Sequence, residues 1–344
     1  MAGRGKGEAP VAAGGPARHT PVLLARIIEA MQPREGGRYI DCTLGAGGYS
    51  RAILDAADCQ VLALDRDPEA LRGAESLTQD YSPRLILKRA RFGDVATVAG
   101  DAGFAPADGI VFDIGVSSMQ LDEAERGFSF MRDGPLDMRM SGEGRSAADV
   151  VNEFEDQDIA EILFVLGEER RSRAIARAIV RRRAEQPITR TLELAELIAS
   201  VIPRRHGDVR HPATRSFQAL RLYVNDELGE LARGLAAAEE VLAAGGRLVV
   251  VTFHSLEDRI VKSFFSERAG KTGRPSRHLP DTGEAIAPSF TLLTRKAVEP
   301  EESEVAANPR ARSARMRAGE RTKAVLWPLD ATALGVPRVK AGAG

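Results

Sequence analysis

Cysteine is nearly absent: Cys42 and Cys59 are the only two in 344 residues. That is too few for a disulfide scaffold and suits a reducing cytoplasm. No apolar run reaches the roughly 18 residues that a membrane-crossing helix needs. The first residues, Met1 to Arg18, hold no apolar core of the kind a secretory signal requires. Charge of one sign is not in excess either, since the formal net charge is −1. A nucleic-acid surface would therefore have to come from local clustering of arginines. The five histidines show no metal-ligand spacing with the two cysteines. There is no G-x-S-x-G elbow, so Ser117, Ser118 and Ser255 are not hydrolase nucleophiles by motif. Gly270-Lys271-Thr272 looks like the end of a phosphate loop, but it follows a helix, and Phe265 stands where the first glycine should be.

What is present is an ordinary globular balance, 43% hydrophobic and 28% charged, over a length that suits about two domains. Residues 1–17 and 331–344 are small, polar and rich in Gly and Pro, and are expected as flexible tails. Thr20-Pro21 is expected to open a helix, with Leu23, Leu24, Ile27, Ile28 and Met31 on one face. Short aliphatic runs follow at Arg38–Thr43, Gln60–Leu64, Arg84–Lys88, Gly109–Asp113 and Arg247–Phe253. Such runs suit strands buried on both faces of a parallel sheet. Helical spacing lies between them at Ser50–Ala57, Pro68–Gln79 and Ala213–Ala244, the last stopped by Gly245-Gly246. The alternation predicts an α/β protein with a doubly wound sheet.

About 100 residues interrupt it. Asp158–Leu166, Glu168–Arg183 and Thr191–Val201 carry helical periodicity with little strand signal. A connection that long is usually a domain, so residues 122–211 are expected as an all-α insertion. After Phe253 come an expected helix, Leu256–Glu267, and two last strands, Phe290–Lys296 and Lys323–Trp327, with a polar, basic loop between them.

The strand ends carry the chemistry. Asp41-Cys42-Thr43-Leu44-Gly45-Ala46-Gly47-Gly48 leads from the first strand into a helix N-terminus, where glycine lets the backbone approach a ligand. The third glycine of a dinucleotide fingerprint is missing, with Ser50 or Arg51 in its place. Asp65, at the end of the second strand, can take two ribose hydroxyls; it could equally be a solvated strand end or a cap before Pro68. Asp41 suits S-adenosylmethionine, whose ammonium needs an anionic neighbourhood. Phe92-Gly93-Asp94 could set a ring and a carboxylate beside an adenine, or Phe92 could be core. The fourth strand ends in Asp113-Ile114-Gly115-Val116-Ser117-Ser118, at the carboxyl edge where open α/β sheets bind ligands. His254, ending the fifth strand, is either a substrate contact or a histidine bonded to its neighbours.

Longer strings make a specific resemblance. Arg18–Leu24, Asp41–Ser50, Asp65–Pro68, Asp113–Leu121, Glu125–Phe130, Pro135–Met140, His211–Arg215, Phe253–Arg259 and Asn308–Ser313 resemble the bacterial 16S rRNA (cytosine-N4)-methyltransferase family, RsmH or MraW, over about residues 18–328. The resemblance implies a class I S-adenosylmethionine methyltransferase sheet, 18–121 plus 212–330, with the 122–211 helical insertion as an RNA-binding element. It implies a soluble, cytoplasmic enzyme acting on the small ribosomal subunit. Its reaction would be methylation of the exocyclic amine of one cytidine in the decoding centre. Carried over, the cofactor contacts would be Gly47, Gly48, Tyr49, Asp65, Phe92, Asp113 and Gln120, with Asp113 also the expected catalytic residue and no metal. The family commonly has histidine at the position of Tyr49; a backbone contact survives that change.

Arginine is unevenly spread. Residues 168–190 hold eight Arg against three Glu, 203–221 five Arg against one Asp, and 310–323 six basic residues against one acid. That is the footprint expected of phosphate contacts, although a charged stripe is often only a solvated face. Arg310, Arg312, Arg315 and Arg317 are expected in a loop beside the active site, opposite the arginines of the insertion. The rival readings are a nicotinamide dehydrogenase, which the incomplete glycine fingerprint disfavours, and a non-catalytic RNA-binding assembly protein, which the acidic strand ends disfavour. A DNA amino-methyltransferase lacks support because the Asp/Asn/Ser-Pro-Pro-aromatic run is missing.

Overall fold

The aliphatic runs do pair into one sheet, because strands apolar on both faces can be covered only in its middle. The computed structural model describes residues 21–202, 211–271 and 287–341. Among these, the strands are β1 (Arg38–Asp41), β2 (Gln60–Asp65), β3 (Leu85–Arg89), β4 (Ala107–Asp113), β5 (Leu242–Thr252), β6 (Phe290–Leu292) and β7 (Arg315–Arg321). Their order is β3-β2-β1-β4-β5-β7-β6. The first five are parallel, while β7 runs antiparallel to both β5 and β6.

Helices cover both faces. α1 (Leu24–Met31) and α2 (Gly48–Ala56) are followed by α3 (Pro68–Gly73), α4 (Glu75–Asp80), α5 (Val95–Asp101) and α6 (Ser118–Asp122). Between β4 and β5 also lie α7 (Ala147–Glu153), α8 (Asp156–Gly167), α9 (Ser172–Glu185), α10 (Thr191–Val201), α11 (Thr214–Val224) and α12 (Glu227–Val241). α13 (Ser255–Arg268) and α14 (Glu302–Ala307) complete the set. Alternate strand residues feed two cores. Val61, Ala63, Val111 and Val249 pack with α1 and α2. Leu62, Leu64, Ile110 and Phe112 pack on the other face, in one cluster that continues into Ile159, Leu163, Ile179 and Ile198 of α8 to α10. The inserted helices thus extend the core of one sheet face.

Several expectations are corrected. The final strand is Arg315–Arg321, not Lys323–Trp327, where no strand forms and Val325 is 72% exposed. In β7, Met316 and Ala318 are buried while Arg315 and Arg317 alternate with them, so a half-charged strand hid behind its arginines. The penultimate strand stops at Leu292 rather than Lys296. The long helix predicted over Ala213–Ala244 breaks at Asn225. The Asn225 side chain donates to Met138 O at 2.7 Å and accepts from Met140 N–H at 2.9 Å, and Asp226 turns left-handed with φ 48°. The first helix begins at Leu24, with Leu23 before it at φ 55°, so Pro21 is not its first residue; Thr20 lies outside the described residues. Residues 331–341, expected as a loose tail, pack down instead. Leu334 is fully buried and Tyr223 donates its hydroxyl proton to Ala341 O at 2.9 Å. Residues 1–20, 203–210, 272–286 and 342–344 lie outside the described residues, and with them most of the 203–221 arginine cluster.

Candidate active site

Parallel strands bring their carboxyl ends to one edge, so Asp41, Asp65 and Asp113 gather beyond β1, β2 and β4. Asp41 is wholly buried; it accepts from Ser50 Oγ at 2.7 Å and from Thr43 N–H at 3.1 Å. Asp65 accepts from the N–H of Gly45 at 2.9 Å and of Asp67 at 2.8 Å. Asp113 gives its own N–H to Thr43 Oγ1 at 2.7 Å. Its carboxylate oxygen Oδ1 is buried with no hydrogen-bond partner among the described residues.

Burial dominates the electrostatics. It pushes Asp65 from the usual 3.8 to about 6, against two backbone bonds that pull it down. It pushes Asp113 to about 7, helped by the charge on Asp41 and opposed by the Tyr49 hydroxyl. Asp41 is also raised by burial. Three carboxyl groups that resist ionisation in each other's company are relieved by a bound cation. A sulfonium with a neighbouring ammonium supplies that charge, and Asp113 Oδ1 stands ready to accept a proton bond.

The glycine turn divides by role. Gly45 has φ 49° and faces open space: a Cβ there would meet nothing closer than Thr43 O at 3.9 Å. A Cβ on Gly47 would sit 2.6 Å from Leu77, and one on Gly48 2.1 Å from Pro21. Gly48 is therefore required by packing against the Pro21 ring, whereas Gly47, which faces a movable leucine tip, is required by its φ of 76°. The N–H groups of Gly48 and Tyr49 lie in the first turn of α2, where no intrahelical acceptor exists. The Tyr49 ring is buried, and its hydroxyl donates to Val22 O at 2.6 Å. That aims its one proton away from Asp113, although the hydroxyl lies close enough to the Asp113 carboxyl to pull its pKa down, so Oδ1 receives no donor by geometry but has a polar neighbour.

Phe92 follows β3 and meets Phe112 edge to face at 5.5 Å, with part of its ring exposed at the same edge. Gln120 is buried in α6, with both ends of its amide engaged. Oε1 accepts from Ser117 N–H at 3.0 Å, and Nε2 donates to Asp67 Oδ2 at 2.8 Å. Gln120 is thus joined to Asp65 through Asp67, whose N–H holds the Asp65 carboxylate. Asp67 also pairs with Arg126 at 2.8 Å and caps α3 through Glu69 N–H at 3.0 Å. Sequence reasoning missed Asp67 and Arg126 as parts of the site. The dipeptide Asp67-Pro68 was the available signal, because proline at the first helical position marks the preceding residue as the cap. The cap before Pro68 is Asp67, not Asp65.

His254 takes the plainer of its two roles. It caps α13, accepting from Glu257 N–H at 3.4 Å, while Glu257 accepts from the His254 N–H at 3.2 Å. Its Nε2 lies 2.9 Å from Glu257 Oε1. Burial would raise Glu257, but His254 and then Arg221 outweigh it and hold the carboxyl low.

The expected arginine loop does not stand free. Arg315 and Arg317 are strand residues, paired with Asp258 at 3.3 and 2.7 Å. Arg310 pairs with Asp122 at the end of α6, at 2.6 Å. Arg312 is exposed.

The sequence profile of the MraW methylase family matches residues 16–322. The chain belongs to the MraW methylase family. It is 58% identical over 317 residues to the Ribosomal RNA small subunit methyltransferase H of Parvibaculum lavamentivorans, covering 92% of this chain and 93% of that one. It is 59% identical over 308 residues to the protein of the same name from Methylorubrum populi, covering 89% and 88%. Among solved structures, an rRNA methylase from Streptococcus thermophilus aligns with a TM-score of 0.38 at 9% identity, over 86% of this chain and 92% of that one. The protein is a methyltransferase, and S-adenosylmethionine is its methyl donor. The carboxylate edge, the orphaned Asp113 oxygen and the open space at Gly45 fit that donor.

Proposed function

We propose that this methyltransferase modifies the exocyclic N4 amine of one cytidine in the decoding centre of 16S rRNA, within the small ribosomal subunit in the cytoplasm. The observation that carries the reading is Asp113 Oδ1, buried at the end of β4 with no donor aimed at it among the described residues. The choice of RNA rests on the relatives, which are named as small-subunit rRNA methyltransferases.

In this reading Asp65 accepts the ribose hydroxyls of the donor, and Phe92 lies beside its adenine. The first-turn N–H groups of Gly48 and Tyr49 face its polar end. Gln120 acts at one remove, by fixing the loop after β4 against Asp67. The bound donor supplies an electrophilic methyl group on a positive sulfur. The rest is positioning, which can account for most of the rate in an in-line displacement. The cytosine amine is a weak nucleophile, because its lone pair is delocalised into the ring. An acceptor aimed at one of its N–H bonds draws the nitrogen toward a nucleophilic geometry. Asp113 Oδ1 is such an acceptor, and as a carboxylate it can take up the proton the amine sheds. No step calls for a metal. The target base must leave its stack to reach this edge, and the 122–211 insertion is the element we assign to holding the RNA meanwhile.

The test is incubation with radiolabelled donor and small subunits lacking the modification, followed by nucleoside analysis. The expected product is N4-methylated cytidine at one position. Label on another nucleoside, or in protein only, would overturn the assignment.

A further inference from the structure

We propose that the groove between α8 and the start of α9 is a stacking site for an unpaired nucleotide of the RNA, with Phe164 taking the base and Arg170, Arg173 and Arg177 the flanking phosphates. The proposal rests on the reading of the substrate as RNA.

α8 buries Ile159, Ile162, Leu163 and Leu166 on one face. Phe164 points the other way and is 60% exposed, the most open phenylalanine among the described residues. A single exposed ring is ordinary by itself; what sets this one apart is its surroundings. Here it lines a cleft of about 860 Å³ whose opposite wall is arginine. Arg173 and Arg177 are one turn apart on α9 and exposed, while Ile175, Ala176 and Ile179 face the core. Like charges at that spacing repel. None of Arg170, Arg173 and Arg177 pairs with a carboxylate among the described residues, whereas Arg182, further along α9, is paired with Glu193 at 2.7 Å. Asp156 and Glu161 also line the cleft, but Glu161 is engaged by Lys340 N–H at 3.3 Å.

Free guanidinium groups across from an exposed ring are the two halves of a single-strand site, one for phosphates and one for a base. An apolar protein partner would match the ring and leave the arginines unanswered. The turn between the helices is tied to the catalytic half of the chain. Glu168 O accepts from Arg215 at 3.2 Å, and Glu168 Oε1 lies 3.7 Å from Arg259, one turn into the helix that follows β5.

The experiment measures binding of the full-length protein to a fluorescein-labelled oligocytidylate by anisotropy, over a salt series. Phe164→Ala should weaken binding roughly tenfold, as loss of one base–aromatic stack does. Phe164→Trp should restore it, and Phe164→Leu should not. Arg173→Ala with Arg177→Ala should flatten the slope of log affinity against log salt by about 1.4 units. Donor affinity, read by calorimetry, should be unchanged in all of them. Wild-type affinity in Phe164→Ala, or full rescue by leucine, overturns the stacking site. So does a change of sedimentation state with RNA binding intact, which would make the ring a protein contact. Failure here leaves the rRNA reading standing if wild-type protein still methylates small subunits; failure of that methylation removes both.

Discussion

Gln120, in α6, and Asp67, in the turn after β2, are joined by a buried hydrogen bond of 2.8 Å from Nε2 to Oδ2. Through it the loop after β4 is locked to the loop after β2, and Arg126 closes the same knot from the other side. Asp67→Ala would leave the Gln120 Nε2 group without its acceptor and deprive Arg126 of its carboxylate, leaving that guanidinium only the carbonyls of Arg139 and Met140. The loss should be about 3 kcal/mol, the lower end for a broken buried pair because Arg126 keeps some solvent contact. Denaturant unfolding reads it. Gln120→Glu should act similarly, since it sets a second carboxylate against Asp67. A variant of either kind with wild-type stability would show that the knot does not hold the site together.

The glycines offer a sharper contrast. Gly45→Ala meets open space, so its cost to the fold is only that of a left-handed alanine, about 1–2 kcal/mol. Its methyl group would occupy the space assigned to the donor, and donor affinity should fall by more than stability predicts. Gly48→Ala drives a methyl group into Pro21 and should lower the melting temperature first. Calorimetry and thermal unfolding on both variants separate the two. Equal losses of affinity and stability in both would mean that Gly45 is structural as well.

Asp65→Ala removes an acceptor that charge-assisted bonds make worth roughly 1.5–3 kcal/mol. Donor affinity should drop on the order of 10–100-fold in a protein that still folds. The same carboxylate also anchors Gly45 and Asp67 N–H groups, so Asp65→Asn, which keeps one acceptor oxygen, should lose less. Unchanged affinity in the alanine variant would remove Asp65 from the donor site.

The sheet was legible because its strands are uniformly aliphatic, and the strand ends because an acid after such a run is conspicuous. Asp41, Asp65 and Asp113 were all readable in that way. What could not be read were partners distant in sequence. Asp67 and Arg126 look like any surface charges until the fold sets them 2.8 Å apart. The same blindness made Arg310, Arg315 and Arg317 look like free phosphate ligands, when Asp122 and Asp258 already hold them. β7 was hidden because Arg315, Arg317 and Arg321 outweigh Met316 and Ala318 in any average of polarity. The break at Asn225 lies in a periodic stretch, and only its bonds to Met138 and Met140 account for it.

That pairing changes what the 310–323 cluster should do. Arginines already bonded to carboxylates release few counterions on meeting RNA, so Arg310→Ala and Arg315→Ala should barely alter the salt slope. Arg312→Ala, with no ion pair among the described residues, should flatten it by about 0.7 units if it touches one phosphate. A flattening near two units on replacing Arg310, Arg312 and Arg315 together would mean that the RNA displaces Asp122 and Asp258.

The last prediction concerns pH. Asp113 is raised from 3.8 to about 7 and Asp65 to about 6. Both are acids whose native form holds its proton longer than the unfolded chain does. Between about pH 4 and 7 the native state therefore binds more protons, and stability contributed by these groups falls as pH rises through that window. A bound cation favours their ionised forms. Donor binding must then release protons below pH 7, and affinity must increase with pH, by at most tenfold per unit for each group that ionises. The increase should level off above the Asp113 value. Calorimetry in buffers of different ionisation enthalpy counts the protons directly. Asp113→Asn, which cannot ionise, should lose the part of the rise between pH 6 and 7 and keep the part due to Asp65. A wild-type affinity that is flat or falls across this range would show that Asp113 does not face the donor's charge, and the role assigned to its unpaired oxygen would go with it.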